Sequence, residues 1–169
     1  MQKLIYPFLI IGTAVMIYIM MSTGAPLKTA STPKGILNLE FAYDKIHTDA
    51  VLNAWSSGDK KEAAIQNTLW DFCFLFFYSL FLFTSCKKLS TKFDIMDWKY
   101  KASRSFAKLA ILAGLLDVGE NLGILQTLRC GGNDTVAMIT TACAAVKWVL
   151  VILVILFALF ALVSKRSRA

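Results

Sequence analysis

Four long apolar runs divide the chain, and polar segments separate them. The runs cover residues 4–21, 68–86, 106–128 and 135–163. Because a helix of about 17–25 apolar residues crosses the hydrocarbon core of a bilayer, each run predicts a membrane-spanning helix. The last run is longer than a perpendicular span requires, which indicates a tilted helix or one whose end emerges from the membrane.

The first run also fits a signal peptide, because a lysine precedes it and small residues follow it. Two features favour an uncleaved helix. The run is longer than a signal-peptide core of about 7–15 residues, and Pro26 would follow a cut after Ala25. We therefore expect a single membrane domain with four spans.

The composition agrees with a membrane protein. Of the 169 residues, 57% are hydrophobic and 17% are charged, whereas soluble domains average about 45–50% and about 25%. These values exclude a soluble enzyme, a disordered tail and a secreted disulfide scaffold. The four cysteines form no CxxC pair and predict small apolar fillers rather than a disulfide ladder; they are Cys73, Cys86, Cys130 and Cys143.

The net charge of +7 comes from basic residues beside the apolar runs. No nucleic-acid recognition motif accompanies them, so no nucleic-acid partner is expected. Eleven lie at the N-terminus, in residues 87–108 and in residues 165–168, and six lie in the other segments outside the spans. Basic residues concentrate on the cytoplasmic side of membrane proteins. We therefore expect a multi-pass protein of the bacterial inner (cytoplasmic) membrane with both termini in the cytoplasm.

The predicted external loop, residues 22–67, carries helical signals. Thr32 and Pro33 are typical of an N-cap and a first helical residue, and Trp55 suits the membrane interface. Between them, apolar residues recur at helical spacing, namely Leu39, Ala42, Tyr43, Ile46 and Ala50. One or two short interfacial helices are therefore expected in this loop.

Two further signals flank the second span. Asp59 and Glu62 resemble a capping box that opens a helix continuing into the span. On the other side, residues 87–105 mix lysines with aromatic and aliphatic residues. That mixture predicts a basic amphipathic stretch on the cytoplasmic membrane surface.

Polar residues interrupt the last three spans, namely Asp71, Asp117, Glu120, Asn121 and Lys147. Each charge near the bilayer centre costs about 2.5–3.5 kcal/mol on insertion scales, so partners are expected. At helical spacing, the polar residues of each span fall on one face of its helix, where they can meet such partners. One face of the second span carries Asn67, Asp71, Tyr78 and Ser85; the third carries Ala110, Gly114, Asp117, Glu120 and Asn121; the fourth carries Thr140, Ala144 and Lys147.

The depths of these residues place them together. Asp117 lies about ten residues from the outer end of its span, or about 15 Å deep, and Lys147 lies at a comparable depth. We expect these two to pair near the midplane, with Glu120, Asn121 and Asp71 nearer the outside. Glu40 is expected to cap the mouth of this cluster. Gly119 and Gly123 add a small-residue step that permits close helix approach.

The acid-rich set allows two interpretations. A pair of Asp117 and Lys147 alone would fix helix register. The remaining carboxylates, however, must be protonated, solvated in a cavity or neutralised by a bound cation, and each option implies a polar pocket. His47 is the only histidine, so one chain supplies neither bis-histidine haem ligation nor a zinc site with several histidines. Oxygen ligands would suit Mg²⁺ or Ca²⁺, but no motif defines a metal or cofactor site.

Several of these residues also carry a resemblance. Leu39-Glu40-Phe41-Ala42 with Trp55, Asp71-Phe72 with Tyr78, the DxxEN pattern at 117–121 and Lys147 resemble a group of uncharacterised small bacterial four-span inner-membrane proteins. The resemblance runs from Gly35 to the fourth span. It implies no activity, only that these residues belong to one site.

Together the patterns predict an all-α protein, an antiparallel four-helix membrane bundle. Its leading predicted function is to bind a small cation, a lipid head group or a polar ligand in an outward-facing acidic pocket, with the bilayer, a partner membrane protein or a homo-oligomer as partners. In a larger complex it would act as an accessory subunit. An intramembrane enzyme that acts on a lipid or other apolar substrate is an alternative, with Asp117 and Glu120 as acid and base and Lys147 stabilising an anion. A transporter or channel subunit, which would require an oligomer, is another.

Overall fold

The computed structural model describes residues 2–165 and is all-helical over that range. Four helices are long and apolar enough to span a membrane, as predicted. They are α1 (Gln2–Gly24), α4 (Lys60–Ser90), α5 (Trp98–Cys130) and α6 (Asp134–Val163). Two short helices lie between the first two, α2 (Leu37–Glu40) and α3 (Lys45–Ala54). Arg166 and Arg168, which contribute to the predicted orientation, lie outside the described residues.

Helices α4 and α5 extend well beyond the apolar runs that predicted them. The expected loop at residues 87–105 is largely helical, and only residues 91–97 connect the two helices. Asp97 sets the start of α5, because its side chain accepts a hydrogen bond from the backbone N–H of Lys99 at 2.9 Å. An apolar run ends where the helix leaves the hydrocarbon core, whereas helical hydrogen bonding continues through the lysine, serine and arginine residues beyond it. The basic residues of this segment therefore lie mostly on the ends of α4 and α5, and the prediction that they rest on the membrane surface stays a prediction.

The helix expected at Thr32 and Pro33 does not form. The Thr32 hydroxyl donates to the carbonyl of Leu27 at 2.8 Å, and Gly35 turns the chain with φ at +62°. The indole N–H of Trp55 donates to the same carbonyl at 3.0 Å. Trp55 is 1% exposed, so it is the core of the loop rather than an interfacial anchor.

The apolar spacing in this loop predicted one continuous helical face, and only its first part is buried. Leu39 and Ala42 are buried. Beyond them, Ile46 is 79% exposed and Val51 is buried instead. The chain breaks after α2, so the residues before and after the break do not share one face. Asp59 does precede a helix that continues into the second apolar run, as predicted, but its side chain makes no capping hydrogen bond.

The long helices pack in series. Helix α4 lies against both α1 and α5, and α5 lies against α6, whereas contacts between α1 and α6 are sparse. Small residues allow these approaches. A Cβ on Gly114 would lie 2.9 Å from Ser79 Cβ, and one on Gly123 would clash with the Thr140 hydroxyl. We call the end that carries residues 25–59 the long-loop end and the end that carries residues 91–97 the basic end.

Candidate functional site

A buried lysine organises the polar residues of the three long C-terminal helices. Lys147 on α6 donates through Nζ to Asp117 Oδ1 on α5 at 2.9 Å. The Tyr78 hydroxyl on α4 donates to the other oxygen, Oδ2, at 2.8 Å. All three side chains are buried. The predicted pair of Asp117 and Lys147 therefore lies in the structure, and Tyr78 joins it across a third helix.

Glu120 lies one turn further along α5 and faces the same lysine. Its Oε2 is 2.7 Å from Lys147 Nζ, and the residue is 0% exposed. Within the described chain, the other oxygen, Oε1, has no hydrogen-bond partner. Glu120 is therefore a fully enclosed carboxylate whose charge is compensated by Lys147.

Asp71 and Asn121 form a second link in the cluster between α4 and α5. The Asn121 amide donates to Asp71 Oδ2 at 2.7 Å. Asn121 is buried, whereas Asp71 is half-buried. Two other residues on the predicted α4 face do not join the cluster. Asn67 donates to the Thr23 hydroxyl on α1 at 2.7 Å, and Ser85 contacts Tyr6 near the basic end.

Glu40 reaches the cluster from the long loop. Its Oε2 accepts a hydrogen bond from the indole N–H of Trp148 at 3.3 Å and lies 4.0 Å from Lys147 Nζ. Its backbone carbonyl accepts from the Thr141 hydroxyl at 2.9 Å. Glu40 is buried, so it belongs to the cluster and approaches it from the side of the long loop. Sequence reasoning missed Trp148, which stands next to Lys147 and was hidden among apolar neighbours.

The cluster contains more acids than bases. Glu40, Asp117 and Glu120 share Lys147, and Asp71 lies beside Asn121. Lys147 thus contacts more than the one carboxylate predicted for it. Even so, one cation faces four carboxylates, and buried charge without compensation is costly. The arrangement favours groups that carry positive charge or donate hydrogen bonds.

A cavity of about 1140 Å³ opens beside the cluster, between α1, α4 and α6. It extends from Lys28 and Lys34 at the long-loop end to Lys88 and Lys92 at the basic end. Glu120 does not line it. The polar residues of the cluster that do are Glu40, Asp71, Tyr78, Asp117, Asn121 and Lys147. Most of the remaining wall is apolar, so the cavity combines one polar region with a long apolar one.

The long loop is fastened to the turn between α5 and α6. The backbone N–H of Lys45 donates to Asp134 Oδ1 at 2.7 Å, and that of Gly132 donates to Asp49 Oδ1 at 3.1 Å. The Lys45 ammonium also contacts Asp49, and this hydrogen bond holds the pKa of the Asp49 carboxyl below its usual value. These contacts hold the segment that carries Glu40 over the cluster.

Within residues 2–165, no group of three or more histidine, cysteine, aspartate or glutamate side chains is arranged to hold a metal ion. The chain matches no protein-family profile, no curated protein and no solved structure. The resemblance based on the residues from Glu40 to Lys147 therefore remains a prediction, and the functional argument depends on the geometry of the cluster and its cavity.

Proposed function

We propose that this protein is a membrane-embedded binding protein whose acidic cluster holds the cationic or hydrogen-bond-donating group of a ligand. The observation that carries the proposal is the shortage of donors around buried carboxylates at the wall of an open cavity. Asp71 receives one hydrogen bond, from Asn121. Glu40 also accepts one side-chain hydrogen bond, from Trp148, and lies 4.0 Å from Lys147 Nζ. Both carboxylates line the cavity, so a ligand that supplies positive charge or donors could reach both.

A purely structural role accounts for part of the cluster. Tyr78 and Lys147 occupy both oxygens of Asp117, which ties three helices together. Asp71 adds nothing to that tie, and a structural pair does not require a half-buried carboxylate on a cavity wall. Charged side chains within membrane segments are costly and commonly mark sites of ligand or ion binding. Asp71 is therefore the residue that best separates binding from structure.

The proposal includes a topology. The four apolar helices form an antiparallel bundle in the inner membrane, with the basic end in the cytoplasm and the long-loop end outside. Lysine residues at the basic end, among them Lys88, Lys92 and Lys99, support this orientation through the positive-inside preference. The cluster then opens outwards beneath the long loop, and the loop contacts at Asp49 and Asp134 control access to it.

A short amine tests the binding proposal. Butylammonium chloride is titrated against the detergent-solubilised protein, with sodium chloride at the same ionic strength as the reference, and the melting temperature is recorded. A ligand that binds only the folded state raises stability by about 2.7 kcal/mol at a hundred times its Kd. We expect a saturable rise for the wild type and a midpoint at least about tenfold higher for Asp71→Asn, which is a loss of about 1.4 kcal/mol in binding.

Glu62→Gln is the matched control, because Glu62 is an exposed carboxylate on the same helix as Asp71. Its titration should coincide with that of the wild type. A wild type that does not respond to butylammonium beyond the sodium reference would refute the proposal. Equal responses of the wild type and Asp71→Asn would refute it as well, because the cluster would then take no part in binding.

A further inference from the structure

The cavity continues from the cluster towards the basic end as an apolar groove. Its wall on α6 follows Val151, Ile155, Leu159 and Leu162, which recur at helical spacing. The distance along α6 from Lys147 to Leu162 is about 22 Å at 1.5 Å per residue. One leaflet contributes about 15 Å to a hydrocarbon core of about 30 Å. The groove is therefore long enough for the hydrocarbon chain of a membrane amphiphile.

The groove opens sideways between two helices. Its opposite wall comes from α1, through Thr13, Ile17 and Met20, and contacts between α1 and α6 are sparse. Ile17 and Ile155 are each almost half exposed. In a bilayer such an opening faces hydrocarbon rather than water. The chain of a lipid-like molecule could therefore enter between α1 and α6 from the hydrocarbon, while its polar head reaches the cluster from the long-loop end, to which the cavity also extends.

The polar end of the groove selects the charge of the occupant. A fatty acid or a phosphate head group would add negative charge beside the three carboxylates that share Lys147 and beside Asp71. A bare inorganic cation would occupy a small part of a cavity of about 1140 Å³ whose wall is mainly apolar. Asp71, which lines the cavity, accepts one side-chain hydrogen bond, from Asn121, so this end of the groove has room for a further donor. A molecule with a primary ammonium group and a long hydrocarbon chain matches both the acidic cluster at one end of the groove and the apolar wall that follows it.

We infer that the ligand is a single-chain membrane amphiphile with a primary ammonium head group, held with its head at the cluster and its chain along the groove. This inference rests on the proposed function and adds the chemical class of the ligand and its route of entry. The head group lies within reach of Asp71, whose carboxylate lines the cavity. The chain extends towards Leu159 and Leu162.

The test is photoaffinity labelling of the full chain in phosphatidylcholine nanodiscs. The probe is octadecylamine with a diazirine near the end of its chain, and labelled residues are mapped by mass spectrometry. We expect labelling to concentrate on the groove wall between Ile155 and Leu162. Unlabelled octadecylamine should suppress it, whereas stearic acid and phosphatidylethanolamine should not. Asp71→Asn should lower it about tenfold.

Two substitutions at neighbouring residues test the binding of the hydrocarbon chain separately from the binding of the head group. Ile155→Trp fills the groove, which Ile155 lines, whereas Leu156→Trp adds the same bulk at a residue that does not line it. Ile155→Trp should lose labelling and keep the melting-temperature response to butylammonium. Leu156→Trp should keep both. Ile17→Trp, on the opposite wall, is a second groove-filling variant if Ile155→Trp does not fold.

The outcomes distinguish this inference from the proposed function. If labelling spreads evenly over exposed residues such as Leu115 and Leu122, or if Ile155→Trp leaves it unchanged, the chain does not lie in the groove. Equal suppression by stearic acid would overturn the ammonium head group. Equal suppression by phosphatidylethanolamine, which carries an ammonium group next to a phosphate and has two chains, would overturn the single-chain ligand. In each of these cases a normal butylammonium response would leave the proposed function standing. Failure of both the labelling and the butylammonium titration would overturn both.

Discussion

Replacement of Lys147 by methionine tests whether one cation holds the cluster together. The Nζ atom lies 2.9 Å from Asp117, 2.7 Å from Glu120 and 4.0 Å from Glu40. Lys147→Met keeps most of the side-chain volume and removes the charge. Loss of one partner from a buried ion pair costs about 3–5 kcal/mol, because the other charge remains buried. Glu120 should suffer most, since no hydrogen bond replaces the lost contact.

The expected cost converts into a melting temperature that can be measured. For a chain of this length, 1 kcal/mol corresponds to about 2–4 °C, so Lys147→Met should melt roughly 6–20 °C below the wild type. Differential scanning fluorimetry in one detergent measures the difference. Addition of Glu120→Gln to Lys147→Met should recover part of it, because the double variant no longer contains the uncompensated carboxylate. Coupling of about 0.5–3 kcal/mol is expected between residues in direct contact.

Lys61→Met is the matched control, because Lys61 is exposed on α4. A surface substitution of this kind should change stability by no more than about 0.5 kcal/mol. The reasoning is refuted if Lys147→Met is as stable as Lys61→Met. It is also refuted if the losses caused by Lys147→Met and Glu120→Gln simply add, because the two side chains would then not be coupled.

Two further predictions concern helix packing and the loop contacts. Gly114→Ala should lower thermal stability by about 1–3 kcal/mol, because the new Cβ would lie 2.9 Å from Ser79 Cβ. Gly119→Ala is the control and should be neutral or stabilising, because the nearest neighbour of its new Cβ would be Cys143 Sγ at 3.5 Å. Equal effects of the two substitutions on stability would contradict the packing. The Asp49 carboxyl has a lowered pKa when folded, so its contribution is present above its ordinary value of 3.8 and is lost as the pH falls below it. The melting temperatures of the wild type and Asp49→Asn should therefore converge in that acid range, and a difference that stays constant with pH would count against the contact.

The sequence predicted best those features that depend on local pattern and depth. Four apolar runs were sufficient for four long helices, and the i,i+3 and i,i+4 spacing of Asp117, Glu120 and Asn121 was sufficient for one polar face. Helix ends were predicted poorly, because hydrophobicity stops at the membrane boundary while helical hydrogen bonding continues to a cap such as Asp97. Thr32 was misassigned because its hydroxyl donates back to the carbonyl of Leu27 instead of capping a helix that follows it.

The groove could not be predicted, because it lies where α1 and α6 make few contacts with each other. A periodic pattern shows which helical face is apolar, but it does not distinguish a face packed on another helix from one that lines a cavity. Helix α1 is apolar throughout, and its contacts with α6 are sparse. Trp148 illustrates the same ambiguity, since it reads as one more apolar residue until its indole N–H is seen donating to Glu40.

The positions of the four carboxylates argue against a cluster that exists only to hold helices together. A structural tie between α4, α5 and α6 is complete with Tyr78, Asp117 and Lys147. Glu40 and Asp71 add negative charge around that tie, which raises the cost of burial, and each of them lines the cavity. The excess of acid therefore lies on the side from which a ligand would approach. The excess carboxylates lower the stability of the folded protein most when the site is empty. Binding of the ligand should therefore restore the stability that they cost.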